Sequence, residues 1–334
     1  MTGGSKLPPV IFGEIVNNYK FKPKSKIREF LGEKIISVTA FTALVAIFLI
    51  FIFIFKEATP IFTSHKVQEE ASLSKMMFKQ QYYEGREPKW SWQPNSDVPK
   101  YSLLPLVIGT IKASIIAMLF AIPLAVGAAI YSAEFAPPRV REVIKPVIEL
   151  LAGIPSVVLG FFALLVLATV LQKAFGFTYR LNAVNAGIAL GIAIIPIIFT
   201  IAEDAMISVP NSLREAASAL GANPWQVSFT MVLPAAMPGI AAGIVLGFGR
   251  AVGETMIVLM ASGNAAIISA NFADSIRTFS ATIAAELAEV VFQSPHYNVL
   301  FFIGTILFVF TFIINLGGEI VLARLKERFQ GRTR

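Results

Sequence analysis

The sequence predicts an all-α polytopic membrane protein with about six transmembrane helices, and three observations carry that expectation. Charged residues make up only 15% of the 334 residues and hydrophobic ones 55%, whereas a soluble domain carries about 25% charge. The sparse charges leave six long apolar runs, each close to the ~20 residues that a spanning helix requires. Lysine and arginine gather at the two ends and in two of the connecting stretches, as cytoplasmic loops do.

The first run, 35–55, follows a basic segment and is long enough to span. It therefore predicts a retained helix rather than a cleaved signal. The later runs are 103–131, 147–171, 183–202, 238–261 and 299–323. Lys20, Lys22, Lys24, Lys26, Arg28 and Lys34 precede the first run, and Arg324, Lys326, Arg328, Arg332 and Arg334 come after the last. Both termini are thus expected in the cytoplasm of a cell whose inner membrane holds the chain, and six crossings agree with that. The loop holding Arg139, Arg141 and Lys145 then falls inside, as does the stretch 203–234. The resulting plan is a cytoplasmic segment 1–34, a first helix 35–55, an external segment 56–101, a core 102–323 and a cytoplasmic tail 324–334. The external segment is long for a loop, so part of it is expected to fold against the outer face. A second external stretch, between Ser262 and Asn298, is expected to hold a short helix within 274–291.

Composition narrows the chemistry. Cysteine is absent and histidine occurs twice, at His65 and His296. That removes disulfides and thiolate metal sites, and two histidines are too few for a histidine-based one. The histidines read most simply as surface or interfacial residues. The net charge of +7 fits cytoplasmic loops, not nucleic acid, whose recognition needs a basic face on a soluble domain. No phosphate-binding loop of the form Gly, four residues, Gly-Lys-Ser/Thr occurs. Any ATP must be hydrolysed by another chain, and no cofactor is expected.

The stretch from Ser212 to Gly221 is the most informative. Ser212 and Glu215 have capping-box spacing. Leu213, Ala216, Ala217 and Leu220 recur at helical spacing, and Gly221 suits the left-handed residue that ends a helix. Asn223 and Pro224 suit the cap and first position of a second helix, and Pro234 and Pro238 are expected to break the chain before the fifth run. A short capped helix with one small-residue face results. By itself it reads as a connecting helix or as a surface that another protein approaches closely.

Glu215-Ala216-Ala217, then Gly221, then Leu233-Pro234 resembles the EAA loop of ABC importer permeases, with Met231 where isoleucine is usual. The resemblance implies the type I (MetI-like) permease fold and a docking role for this helix on an ATPase. Glu215, Ala216, Ala217 and Gly221 then form the coupling surface. Residues 149–162 and the run Gly249-Arg-Ala-Val-Gly-Glu-Thr-Met256 resemble the third and fifth spans of phosphate-importer permeases, and the run Arg277-Thr-Phe-Ser-Ala-Thr-Ile-Ala-Ala-Glu286, followed by His296-Tyr297 and Asn315, resembles their PstC-type subunit. This second resemblance implies a chain that catalyses no chemistry itself and works in the lipid bilayer. Its implied partners are a homologous PstA-type permease, two copies of a cytoplasmic ATPase and an external phosphate-binding protein, with phosphate as the solute.

Residue chemistry adds its own candidates. Arg250 and Glu254 lie inside the fifth apolar run at i and i+4, which predicts one shared helix face. A charge at mid-membrane costs roughly 2.5–3.5 kcal/mol, so the pair should face protein or water. A structural ion pair and a place on a solute pathway both satisfy that. Arginine suits phosphate because it keeps its charge and donates in a fork. Arg277, with Thr278, Ser280 and Thr282, reads either as part of a solvated amphipathic helix or as an entry vestibule. Gly243, Gly247, Gly249 and Gly253 predict close helix packing in the fifth run. Gly153, Pro155 and Pro196 mark kinks or local openings. Sulfate or molybdate in place of phosphate, and an ion-coupled transporter working alone, are the alternatives.

Overall fold

The computed structural model of the chain describes residues 26–82 and 87–329. The expected cations Lys20, Lys22, Lys24, Arg332 and Arg334 lie outside these residues. Two compact units divide at residue 53. In the first, the described residues belong to helix α1 (Lys26–Ala58), and none of its described side chains from Phe30 to Phe53 is buried.

The second unit, 54–334, begins with the last turns of α1. Three short helices come next, α2 (Pro60–Thr63), α3 (His65–Ala71) and α4 (Leu73–Met77). They lead to a two-residue ribbon, β1 (Trp92–Gln93) antiparallel to β2 (Lys100–Tyr101), with Trp92 opposite Tyr101. The second crossing is α5 (Leu104–Ile130), which ends in a wide π-turn at Tyr131–Phe135. An amphipathic helix α6 (Pro138–Ala152) has no buried residue. The third crossing is α7 (Ser156–Phe162) and α8 (Ala168–Phe175), joined by a π-turn. The fourth is α9 (Ala183–Ile207). Two short helices, α10 (Asn211–Ala219) and α11 (Pro224–Val227), lead through a further π-turn into α12 (Leu233–Gly253). After α13 (Met256–Ala261) and α14 (Phe279–Glu286), the last crossing is α15 (Pro295–Phe329).

Among the described residues, six helices are long and apolar enough to cross a membrane. Helices satisfy every backbone N–H and C=O within the segment, which a bilayer requires. Two internal boundaries differ from the sequence expectation, and the expected proline breaks do not form. Residues 147–152 belong to the amphipathic α6, because Pro155 disfavours helix at the residue before it and the chain turns at 153–155. The fifth crossing starts at Pro224 rather than 238. Pro234 and Pro238 do not break it: Pro234 falls in the first turn of α12, where a missing N–H is tolerated, just after the π-turn Ser228–Val232, and Pro238 is buried within the helix. Pro196 is buried within an uninterrupted α9.

The core is α9 held between α5 and α12, and small residues set the spacing. A Cβ on Gly187 would lie 2.5 Å from the Ile116 side chain, and one on Gly247 would lie 2.8 Å from Ile198. Only glycine permits either approach, which is how crossings pack where water supplies no driving force. A second cluster lies at one end of the unit. Ile61, Val67, Met76, Trp92 and Tyr101 are buried there against Leu106, Phe279 and Val299, so the 56–101 segment is packed onto the ends of α5, α14 and α15.

Candidate functional site

Three places gather polar groups: a gap in the fifth crossing and the two ends of the bundle. The gap comes after Gly253. Glu254 is extended, with φ −67° and ψ 131°, and the helix resumes at Met256. Three bonds replace those lost. Ser280 Oγ on α14 donates to the Glu254 carbonyl at 2.8 Å, the Thr255 N–H donates to Glu254 Oε1 at 3.2 Å, and Thr255 Oγ1 donates to the Gly253 carbonyl at 3.3 Å.

This break overturns the expectation that Arg250 and Glu254 share a helix face. The i,i+4 geometry holds only while the helix continues, and it stops at Gly253. Among the described residues no ion pair joins them. Arg250 is exposed, Glu254 is half-buried, and a Cβ on Gly253 would meet open space. Gly243 and Gly247 pack on α9, and Gly249 lies against Asn315 of α15. Arg250 and Gly253, about one turn apart at the end of the helix, are thus both exposed directly before the break.

One end of the bundle holds the helix with the EAA pattern. α10 starts at Asn211 after Pro210, earlier than the Ser212–Glu215 capping box would place it, and no side-chain cap bond forms. Its far end is as expected. Gly221 is left-handed at φ 86°, its N–H donates to Ser218 O at 2.9 Å, and the Ala222 N–H donates to Ala217 O at 3.1 Å, the pair of bonds that closes a Schellman motif. Asn223 and Gln226 form a reciprocal capping box ahead of α11. Glu215, Ala216 and Gly221 are not buried, whereas Ala217 is buried against the core.

Next to these residues, Arg214 turns inward. Its Nη2 donates to Glu134 Oε1 at 2.8 Å and to the Met206 carbonyl at 2.8 Å. Nε reaches Glu134 Oε2 at 3.5 Å, and Nη1 donates to the Val209 carbonyl and to Asn211 Oδ1. Nearby, Glu203 on α9 is wholly buried. It accepts from Ser132 Oγ at 2.6 Å and lies 3.4 Å from both Arg141 Nε and Lys145 Nζ. Lys145 also donates to Asp204 at 3.0 Å, and that bond holds its ammonium above the usual lysine range.

At the opposite end Arg277 does not lie on a solvated helix face. It precedes α14, and its side chain is 17% exposed. Nη2 pairs with Glu286 Oε1, and Nε donates to Thr282 Oγ1 at 3.1 Å. Glu286 also accepts from Trp92 Nε1 at 3.0 Å and bonds His296 Nε2 at 2.8 Å. Burial pushes the Glu286 carboxyl up, but the bonds from His296 and Trp92 and the Arg277 charge outweigh it and hold the group below the usual glutamate range. Burial, with Glu70 and Glu286 nearby, pushes the Tyr101 hydroxyl well above its usual value. His296 is therefore a half-buried member of a cluster rather than an open surface residue, while His65 is exposed as expected. On α5, Lys112 donates to the Ser269 and Asn271 carbonyls at 2.8 and 2.7 Å, tying the 262–278 loop to the second crossing. Lys112 carried a readable signal, a charge inside an apolar run. Glu134, Glu203 and Trp92 carried none, because their partners are distant in sequence.

Comparison with known proteins agrees with this architecture. Residues 121–329 match the family described as binding-protein-dependent transport system inner membrane component. A probable ABC transporter permease protein, YqgH, of Bacillus subtilis is 38% identical over 68% of this chain and 73% of its own length. The phosphate transport system permease protein PstC of Mesorhizobium japonicum is 36% identical over 71% of this chain and 78% of its own. Among solved structures, a chain of the inward-facing MetNI methionine ABC transporter superposes with a TM-score of 0.51 at 17% identity, covering 67% of this chain and 94% of that one. At that identity the likeness concerns the fold, which is the type I importer permease fold. The chain accordingly belongs to the binding-protein-dependent transport system inner membrane component family of ABC importers, as a multi-pass permease of the PstC type.

Proposed function

We propose that the chain forms half of the membrane pathway of an ATP-driven phosphate importer. It pairs with a homologous PstA-type permease, works with two copies of a cytoplasmic ATPase in the assembled importer and receives phosphate from an external binding protein. The observation that carries this is the exposed Arg250 beside the opened backbone at Glu254. Irregular backbone at membrane depth is tolerated where it meets protein or a water-filled cavity, and a lone guanidinium on such a face suits a multivalent oxyanion. Glu254, close by in sequence but unpaired with Arg250, leaves that cation free to meet a passing anion. Arg277, locked to Glu286, acts in the pathway chiefly by shaping the entrance. PstC-type relatives are phosphate permeases by name, which favours phosphate over sulfate or molybdate.

In this assignment the 203–234 stretch and both termini are cytoplasmic, and the 56–101 segment is external. Glu215, Ala216, Ala217 and Gly221 form the coupling region, of which Glu215, Ala216 and Gly221 are open to the ATPase and Ala217 seats the helix. The test is uptake by the whole complex in proteoliposomes with its binding protein. Arg250→Ala is expected to keep assembly and to lower phosphate uptake by about tenfold, the scale of one charge-assisted contact. Unchanged uptake, or equal competition by sulfate and molybdate in the unaltered complex, would contradict the assignment.

A further inference from the structure

We propose that Arg214 is a positioning residue that clamps α10 to the ends of the second and fourth crossings, so that displacement of α10 is delivered to both together. This rests on α10 being the helix that docks on the ATPase.

The geometry supplies the clamp. Glu215 and Ala216 stay accessible, while Arg214, directly before them, turns into the bundle. One guanidinium reaches three elements: the carboxylate of Glu134 in the π-turn that ends α5, the Met206 carbonyl in the last turn of α9, and the Val209 carbonyl in the linker that leads to α10. Its fork meets both Glu134 oxygens, the paired geometry that arginine makes and lysine cannot. The Glu134 side chain is only 8% exposed, and Arg214 is its sole ion-pair partner among the described residues.

α10 needs such a tether. A nine-residue helix is marginal by itself, and Ala217 is its one buried side chain. An alanine resists sliding weakly, whereas a directional fork resists both translation and rotation. The elements it grips are stiff. α9 is packed on both sides through small residues, and its own Glu203 is fixed by Ser132 from the same π-turn as Glu134. The Arg214 fork is therefore the directional polar link between a loosely seated docking helix and the tightly packed pair that it must move.

The experiment uses the complete complex in proteoliposomes, reading phosphate uptake and ATP hydrolysis in the same vesicles. Glu134→Gln leaves the carbonyl anchors of Arg214 in place and removes the charge pair. It is expected to keep the ATPase bound and ATP hydrolysis active while phosphate moved per ATP falls by about tenfold, the scale of a typical inter-site coupling. Arg214→Gln should do the same, Arg214→Lys should recover part of the ratio, and the Glu134→Gln/Arg214→Gln double variant should lose no more than either single one. The chain lacks cysteine, so spin labels at Ser218→Cys and Ile207→Cys report the α10–α9 distance directly. A narrow distance that broadens in Glu134→Gln is expected. An unchanged uptake-to-ATP ratio, additive losses in the double variant, or an unchanged label distance would overturn the proposal. Failure of the unaltered complex to take up phosphate with ATP would overturn the functional assignment and the transmission role with it, while the label distances would still decide the clamp.

Discussion

Removing the Glu286 carboxylate tests whether the cluster opposite α10 holds that end of the bundle together. Glu286→Ala deletes the acceptor of three side chains at once: Arg277, His296 Nε2 at 2.8 Å and Trp92 Nε1 at 3.0 Å. Breaking a buried ion pair costs about 3–5 kcal/mol because the surviving charge is left uncompensated. Arg277 keeps 17% of its side chain exposed, so water recovers part of that loss, and about 3 kcal/mol is the expected figure. Glu286→Gln retains one acceptor oxygen and should lose roughly half as much. In detergent-solubilised protein, the alanine change should lower Tm by about 4 °C, since a chain of this length unfolds with an entropy of about 0.7 kcal/mol/K. Trp92 emission should shift toward that of a hydrated indole as its N–H loses its partner. The pH dependence has a definite sign. Because the folded carboxyl titrates below its ordinary range, its contribution is complete above the ordinary glutamate value and is lost as the pH falls through the folded one. The stability gap between the native chain and Glu286→Gln should therefore close on the acid side of the ordinary glutamate value. A Tm within about 1 °C of the parent for Glu286→Ala would refute the reasoning, since that is below the shift that even 1 kcal/mol produces in domains.

Two further substitutions probe backbone approach and helix ending. A Cβ on Gly109 would meet the Arg277 backbone, with the carbonyl carbon at 3.0 Å and the nitrogen at 3.2 Å. Gly109→Ala should destabilise by about 1–3 kcal/mol and shift Trp92 emission in the same direction as Glu286→Ala; a silent Gly109→Ala would mean that the loop yields freely. At the other end, Gly221→Val forces a β-branched residue into φ 86°. It should weaken co-purification of the ATPase and lower stability by about 1–2 kcal/mol, whereas Asn223→Ala, which removes the α11 cap, should lower stability by about 1 kcal/mol. Thermal unfolding and subunit pull-down measure both.

The six crossings were legible because apolar runs of sufficient length have one main solution in a bilayer, and α9 and α15 track their runs closely. The errors concentrate where a proline or glycine met tertiary support. Gly253 and Glu254 look helical in sequence, and Ser280, on a different element, helps make the break tolerable by donating to the freed Glu254 carbonyl. The Arg250–Glu254 pair failed for that same reason. The EAA pattern located α10 and Gly221, and the Asn223-Pro224 pair located the next cap. It could not announce the Arg214 bond, whose partner Glu134 lies 80 residues earlier, nor the Trp92–Glu286 bond, which spans 194 residues. Periodicity reports local geometry, and these bonds are made by the packing of elements that periodicity treats one at a time.

The contrast between α1 and α9 has a consequence for evolution of the chain. Both are apolar over most of their length, yet one displays its side chains from Phe30 to Phe53 and the other hides most of its own. Greasiness in α1 is a solvent requirement, which leucine, valine or phenylalanine meet interchangeably. In α9 it is a dimensional one, in which an added methyl at Ala186, Gly187 or Gly191 has nowhere to go. Drift should therefore run freely along the first crossing and almost stop along the fourth, although a hydropathy plot scores the two alike.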